Sequence, residues 1–269
     1  SSIDWNTKDI NVQNSPFARY LAANLFTALG NVDAARIERE QFNRAIAEHY
    51  HLINFSSESD ISLVQSNRNV IPEWSLSKNN NVLLLSFTGM APEKIQQDLR
   101  VYNEYWETEL KVSLPILNPY RSEIMGVQIW VGDSLIGLSK LLESMHEVAQ
   151  EVYTSKMPII YGRAVLRAIS KYTGTRWVEN IPEEEDSFFA HFLEFTGDLY
   201  KESSEKADLR SWTSLPGNVF AHAFQLDPGS YEMEFRYINK QGLPVYSEFR
   251  DIQIKQGHLV HLLETHLAF

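Results

Sequence analysis

Histidine offers the first candidate chemistry, because a neutral imidazole is a common metal ligand. His49 and His51 stand two apart, His258 and His261 three apart, and His266 lies further on. In a strand the first pair would share a face, whereas in a helix its members diverge. His258 and His261 fall in a predicted strand, where a spacing of three sends them to opposite faces, and no acid is placed to complete a site. The expectation is hydrogen-bonded or solvated histidines and no metal. His146-Glu147 opens like the helical zinc-protease motif, but the fifth position is Gln150, so the second ligand is missing. No nucleophile elbow, phosphate-binding loop, dinucleotide glycine pattern or EF-hand acid series occurs. Asp133-Ser134 beside Gly132 is explained by a hairpin turn without catalysis. These patterns predict no catalytic residue and no cofactor.

Binding chemistry has more to offer. Asp208-Leu209-Arg210-Ser211-Trp212 lets Arg210 pair with Asp208 or stack on Trp212. One reading is a ligand-facing cluster, with Arg210, Trp212 and Tyr231 gripping a glycan or peptide in a cleft between the C-terminal strands and the central block. The other is a corner that pins the last helix to the strands, and its position, where helical text gives way to strands, favours the corner. Tyr102, Tyr105 and Trp106 lie at helical spacing and are expected in a core or an interdomain seam rather than on a sugar platform. Asn54-Phe55-Ser56 fits the N-glycosylation pattern, a triplet short enough to arise by chance.

The elements that would carry these residues read as follows. Ser15 is an N-cap followed by Pro16 at the first helical turn, and Leu29-Gly30-Asn31 ends that helix. A second helix starts near Asp33 and carries Ala34, Ile37, Phe42, Ile46 and Tyr50 on one side. Small residues and an intervening glycine give the pair the look of one tetratricopeptide unit, a repeat of about 34 residues that normally needs several copies. From Ser56 to Asn81 the text is polar and reads as a linker or a long surface loop. Val82 to Phe87 is a buried-strand candidate, followed by strands over Lys111–Leu117, Gly126–Val131 and Leu135–Leu138. Helices are predicted from Lys140 to Tyr153 and from Pro158 to Tyr172. Pro182-Glu183-Glu184-Glu185-Asp186 places acids at a further helix start, where the macrodipole favours them. Period-two text then predicts a meander of strands over Val219–Leu226, Tyr231–Ile238, Val245–Ile254 and His258–Leu267.

These readings give an α+β fold in three parts. Residues 1–77 form a helical, tetratricopeptide-like unit with its linker, 78–212 a central α+β domain with a bridging helix, and 213–269 a C-terminal antiparallel β-sandwich. The 269 residues carry 24 Lys+Arg against 35 Asp+Glu, a net charge of -11, which argues against binding nucleic acid or anionic lipid. A hydrophobic fraction of 43% is too high for a disordered chain. The absence of cysteine excludes disulfides, zinc–cysteine sites and thiol catalysis. No stretch approaches the apolar length of a membrane helix. The chain opens Ser1-Ser2-Ile3-Asp4-Trp5, without a basic or apolar leader, and is expected to be processed or trimmed there.

The run from Ser203 to Trp212, with Ala207-Asp208-Leu209-Arg210-Ser211-Trp212 as its most specific part, carries a family resemblance. So do Leu215-Pro216 and Leu226-Asp227-Pro228-Gly229-Ser230-Tyr231. Together with Leu29-Gly30-Asn31-Val32-Asp33-Ala34-Ala35-Arg36 and Gly162-Arg163-Ala164, they resemble a group of bacterial cell-envelope lipoproteins with tetratricopeptide-like helices near the N-terminus. The resemblance spans most of the chain in the same order. It implies export, a lipidated cysteine upstream of Ser1 and membrane attachment only through that lipid. It supplies no catalytic residues. The expected role is a non-enzymatic assembly scaffold that binds another envelope protein, with glycan or peptide binding as the competing class.

Overall fold

The computed structural model describes residues 12, 14–53, 80–103, 108–118, 122–173, 215–256 and 260–268. Residues 56–79 of the expected linker, the helix expected after Pro182 and the Ala207–Trp212 run lie outside the described residues, as do Tyr105, Trp106 and His258. The described part is α+β, as expected: three α-helices and nine strands. They fall into two compact units, one holding the described residues within 10–91, 119–149 and 213–269, the other those within 92–118 and 150–212.

The larger unit opens with α1 (Pro16–Ala28) and α2 (Val32–His49). Ser15 caps α1 by accepting from the Ala18 amide at 3.1 Å, and Asn31 starts α2 by accepting from Ala34 at 3.2 Å. Gly30 turns the chain between them with φ of 72°, a conformation that costs glycine no Cβ clash. A seven-stranded sheet runs in the order β8-β7-β4-β5-β6-β1-β9. Its strands are β1 (Val82–Thr88), β4 (Gly126–Val131), β5 (Ser134–Ser144), β6 (Asn218–Phe224), β7 (Gly229–Ile238), β8 (Pro244–Ile254) and β9 (His261–Leu267). The sheet curls until its end strands approach, where Arg250 Nη1 of β8 donates to the carbonyl of Glu264 in β9 at 2.6 Å.

Side-chain alternation explains why a sheet this apolar needs two cores. Val82, Leu84, Val127, Ile129, Phe220, Met233, Phe235, Tyr237, Ile254 and Leu267 point inward and pack as one cluster drawn from six of the seven strands. Leu83, Leu85, Leu142 and Ala221 point outward and pack against Tyr20, Phe42 and Ile46 of the helical hairpin. The run Val82-Leu83-Leu84-Leu85 is therefore buried on both faces, which is why it reads as an unbroken apolar string.

The expected meander differs from this arrangement. Of the four C-terminal strands only β7 and β8 are direct neighbours; β6 lies between β5 and β1, and β9 runs parallel to β1. Period-two text specifies a strand but not its partner, and the shared inner core decided the pairing.

The smaller unit contains the hairpin of β2 (Lys94–Asn103) and β3 (Thr108–Leu117) and most of α3 (Met145–Thr173). Val112 and Leu114 of β3 pack with Ala164 and Tyr161 of α3, and Tyr153 donates its hydroxyl to the Pro115 carbonyl at 2.5 Å. Two corrections belong here. Tyr102, expected on a helix, lies in β2 opposite Glu109. The segment from Lys140 to Ser144, also expected as helix, completes β5, and a single helix then runs through Pro158. Leucine and glutamate favour helix locally, but ladder bonds to β6 hold this stretch extended. Ser144 ends the strand and caps α3 through the Glu147 amide at 3.4 Å. Ser144-x-x-Glu147 is a capping-box spacing, so this boundary was present in the sequence.

Candidate functional site

Strands β4, β7 and β8 carry a face that the hairpin does not cover. On β4, Val127, Ile129 and Val131 point inward, so Gln128 and Trp130 point outward. The register extends that face across four strands: Phe249 of β8 stands opposite Glu234 of β7, Glu234 opposite Trp130, and Trp130 opposite Leu135 of β5. Phe249 is 62% exposed and Leu135 51%, so the row ends in two large apolar side chains in water. Beside it runs a more polar row of Ser247, Arg236, Gln128 and Leu138.

Polar groups hold this face in shape. The Arg236 guanidinium lies 4.3 Å from the centre of the Trp130 ring and bonds Glu234 at 2.6 Å. Trp130 Nε1 donates to Gln128 Oε1 at 3.0 Å, so the ring is held at both its π-face and its edge. The bond from Arg236 keeps the Glu234 carboxyl below the usual carboxylate range, and the same pairing raises Arg236 further. At one end of the face Glu232 stands opposite Asp251, a like-charge cross-strand pair. Ser230, Tyr231, Glu232, Asp251, Ile252 and Gln253 line a depression of about 460 Å³ there.

Of the three residues expected to grip a ligand, Tyr231 lies at this depression, and its hydroxyl donates to the Asp227 carbonyl at 2.8 Å. Arg210 and Trp212 lie outside the described residues. The sequence reading missed Trp130, Leu135, Arg236 and Phe249. Their signal was available only in part: each is an outward position of an alternating strand, but nothing in the alternation places the four in adjoining rows.

The other chemistry-bearing residues have structural surroundings. His49 ends α2 and is buried, while His51 lies in the short 3-10 turn Tyr50–Leu52 and is exposed, the divergence expected of a helix. His146 and Glu147 occupy the first turn of α3, and Gln150 donates to Thr154 at 3.3 Å. Asp133 and Ser134 close the β4–β5 hairpin after Gly132, whose φ is 56°. Among the described residues no group of three or more His, Asp or Glu gathers to hold a metal ion.

Glu143 is the most buried carboxylate described, at 3% exposure. The β5–β6 register slips between Leu141 and Glu143, and this bulge turns both Leu142 and Glu143 toward the helical layer. One carboxylate oxygen of Glu143 accepts from the Ser15 hydroxyl at 2.5 Å and the Phe17 amide at 3.1 Å. Burial raises its pKa and those two bonds lower it, with burial dominant. It pins the start of α1 to the sheet.

Comparison with protein-family models, curated proteins and solved structures returns no match for this chain.

Proposed function

We propose that this chain is the non-catalytic ectodomain of a bacterial cell-envelope lipoprotein, acting as a protein-interaction or assembly scaffold through the outer face of β4, β7 and β8. The observation that carries the binding role is the outward row of Phe249, Trp130 and Leu135, in which the half-buried Trp130 lies between two exposed apolar ends. Aromatic and arginine side chains on a rigid sheet are the usual anchors of protein interfaces. The envelope assignment and the lipid anchor rest on the sequence resemblance around Ala207–Trp212. In this reading α1 and α2 are a tetratricopeptide-like hairpin spent on covering the sheet, and opposed halves of the curled sheet take the place of the sandwich.

A photo-crosslinking side chain in place of Phe249 tests the role in full-length protein within its own envelope extract. The expected result is an adduct with one defined envelope protein at position 249 and none from the same group at Arg36, an exposed site on α2. A solitary, uncrosslinked monomer at both positions would refute the scaffold role.

The second reading, a glycan- or peptide-binding protein using Arg210, Trp212 and Tyr231, is supported by the depression beside Tyr231. Its test is a glycan and peptide array probed with the parent and with Tyr231→Ala and Trp212→Ala. Binding lost in both variants supports it, and an array blank for the parent rejects it.

A further inference from the structure

The acids around the apolar row specify its occupant further. Resting on the docking role proposed above, we infer that the partner presents a basic side chain beside an apolar one, and that the occupant is not a second copy of this chain. Arg236, a cation on the face, is already engaged by Glu234 and Trp130. Glu232 and Asp251 face each other across β7 and β8 close to Phe249, and Asp133 in the neighbouring hairpin turn contributes to the field at Arg236. Like charges directly opposite in a sheet work against folding, and a cation placed between them removes that repulsion. Phe249 at 62% exposure supplies the apolar contact, two residues along β8 from Asp251. A second copy would bring the same acids to the same place, within a chain already at a net charge of -11. Charge complementarity of this kind sets partner choice and association rate more than total affinity.

The test uses the whole chain and three synthetic peptides of equal length, alternating Leu with Lys, Leu with Glu, or Ser with Lys, with binding followed by fluorescence anisotropy. The Leu–Lys peptide is expected to bind best. Phe249→Ser should weaken it about tenfold and Phe249→Tyr far less, as expected for an anchor side chain. Glu232→Gln with Asp251→Asn should weaken it about fivefold and flatten its salt dependence. The same charge change made remotely, with Asp33→Asn and Glu40→Gln on α2, should leave it within about twofold. Equal loss in the remote and local pairs would reduce the effect to net charge and overturn the inference. So would Ser–Lys binding as tight as Leu–Lys. If the Leu–Glu peptide binds best and still depends on Phe249, the docking face stands but its assigned partner chemistry is wrong. If no peptide depends on Phe249, both fall.

Discussion

Two titratable side chains, the buried Glu143 and the half-buried His222, pull the stability of this protein in opposite directions with pH. Burial raises the pKa of Glu143, so in the folded state its protonated form is favoured. The stability it contributes is full below the ordinary carboxylate value and is lost as pH rises through the raised value. His222 of β6, stacked on Phe224 with ring centres 5.6 Å apart, has its pKa lowered by burial. Its contribution is full above the ordinary imidazole value of 6.5 and is lost as pH falls through the lowered one. His49 shifts in the same direction as His222, also chiefly through burial. Urea midpoints measured from acid to neutral pH should separate the two. Glu143→Gln keeps one carbonyl oxygen for both the Ser15 hydroxyl and the Phe17 amide, so it should remove the loss on the alkaline side without a penalty at neutral pH. Glu143→Ala strips both donors of their partner and should cost about 1–3 kcal/mol. His222→Leu should flatten part of the acid limb and leave the share of His49. A second residue-scale prediction concerns Gly137, where a Cβ would lie 2.4 Å from His222 Nε2. Gly137→Ala should therefore destabilise by about 1–3 kcal/mol, and His222→Ala in the same chain should recover most of it. Additive losses in the denaturation midpoints of that cycle would contradict the contact.

At the scale of elements, β1 joins two cores because consecutive residues serve opposite faces. Leu84 faces the sheet interior and Leu85 faces Tyr20, Phe42 and Ile46 of the hairpin. Each truncation to alanine should cost about 2–5 kcal/mol, the range for a buried leucine. The two should differ in hydrogen exchange: Leu85→Ala should deprotect α1 and α2 ahead of the sheet, whereas Leu84→Ala should loosen β1, β4, β6 and β7 together. Equal deprotection everywhere would mean that hairpin and sheet open as one cooperative unit. Much of this level was legible in the sequence. The Ser15-Pro16 start, the Gly30 turn, the Gly132 hairpin and the unbroken Val82–Leu85 run all depend on local sterics or burial on two faces. Two elements were not. Lys94–Asn103 does not read as a strand, because Lys, Gln and Asp interrupt its apolar positions, yet ladder bonds to β3 make it β2. Leu141 to Ser144 likewise joins β5 against its local preference. Strand pairing is a contact between distant residues, and local composition does not record it.

At the scale of the whole molecule, charge and surface govern what can be tested. The net charge of -11 should keep copies of the chain apart at low salt. The exposed position of Phe249 lets function be separated from folding, because a surface substitution is usually within about 0.5 kcal/mol of neutral. Phe249→Ser should therefore leave the thermal midpoint nearly unchanged while reducing partner binding, checked by calorimetry beside the binding assay. A large drop in the midpoint would show that Phe249 is structural. No described helix is long and apolar enough to cross a membrane.

By itself the sequence determined the α+β class, the helical hairpin with its cap and turn, and most of the strands, because these follow from periodicity, capping and burial within a few residues. It also determined what chemistry a cysteine-free chain excludes. Only the tertiary structure decided that β9 lies parallel to β1, that Glu143 meets the start of α1 from 128 residues away, and that Phe249, Glu234, Trp130 and Leu135 align in one row. Each of these depends on which strand pairs with which and in what register. Alternation leaves several such pairings open, and closure of one inner core selects among them.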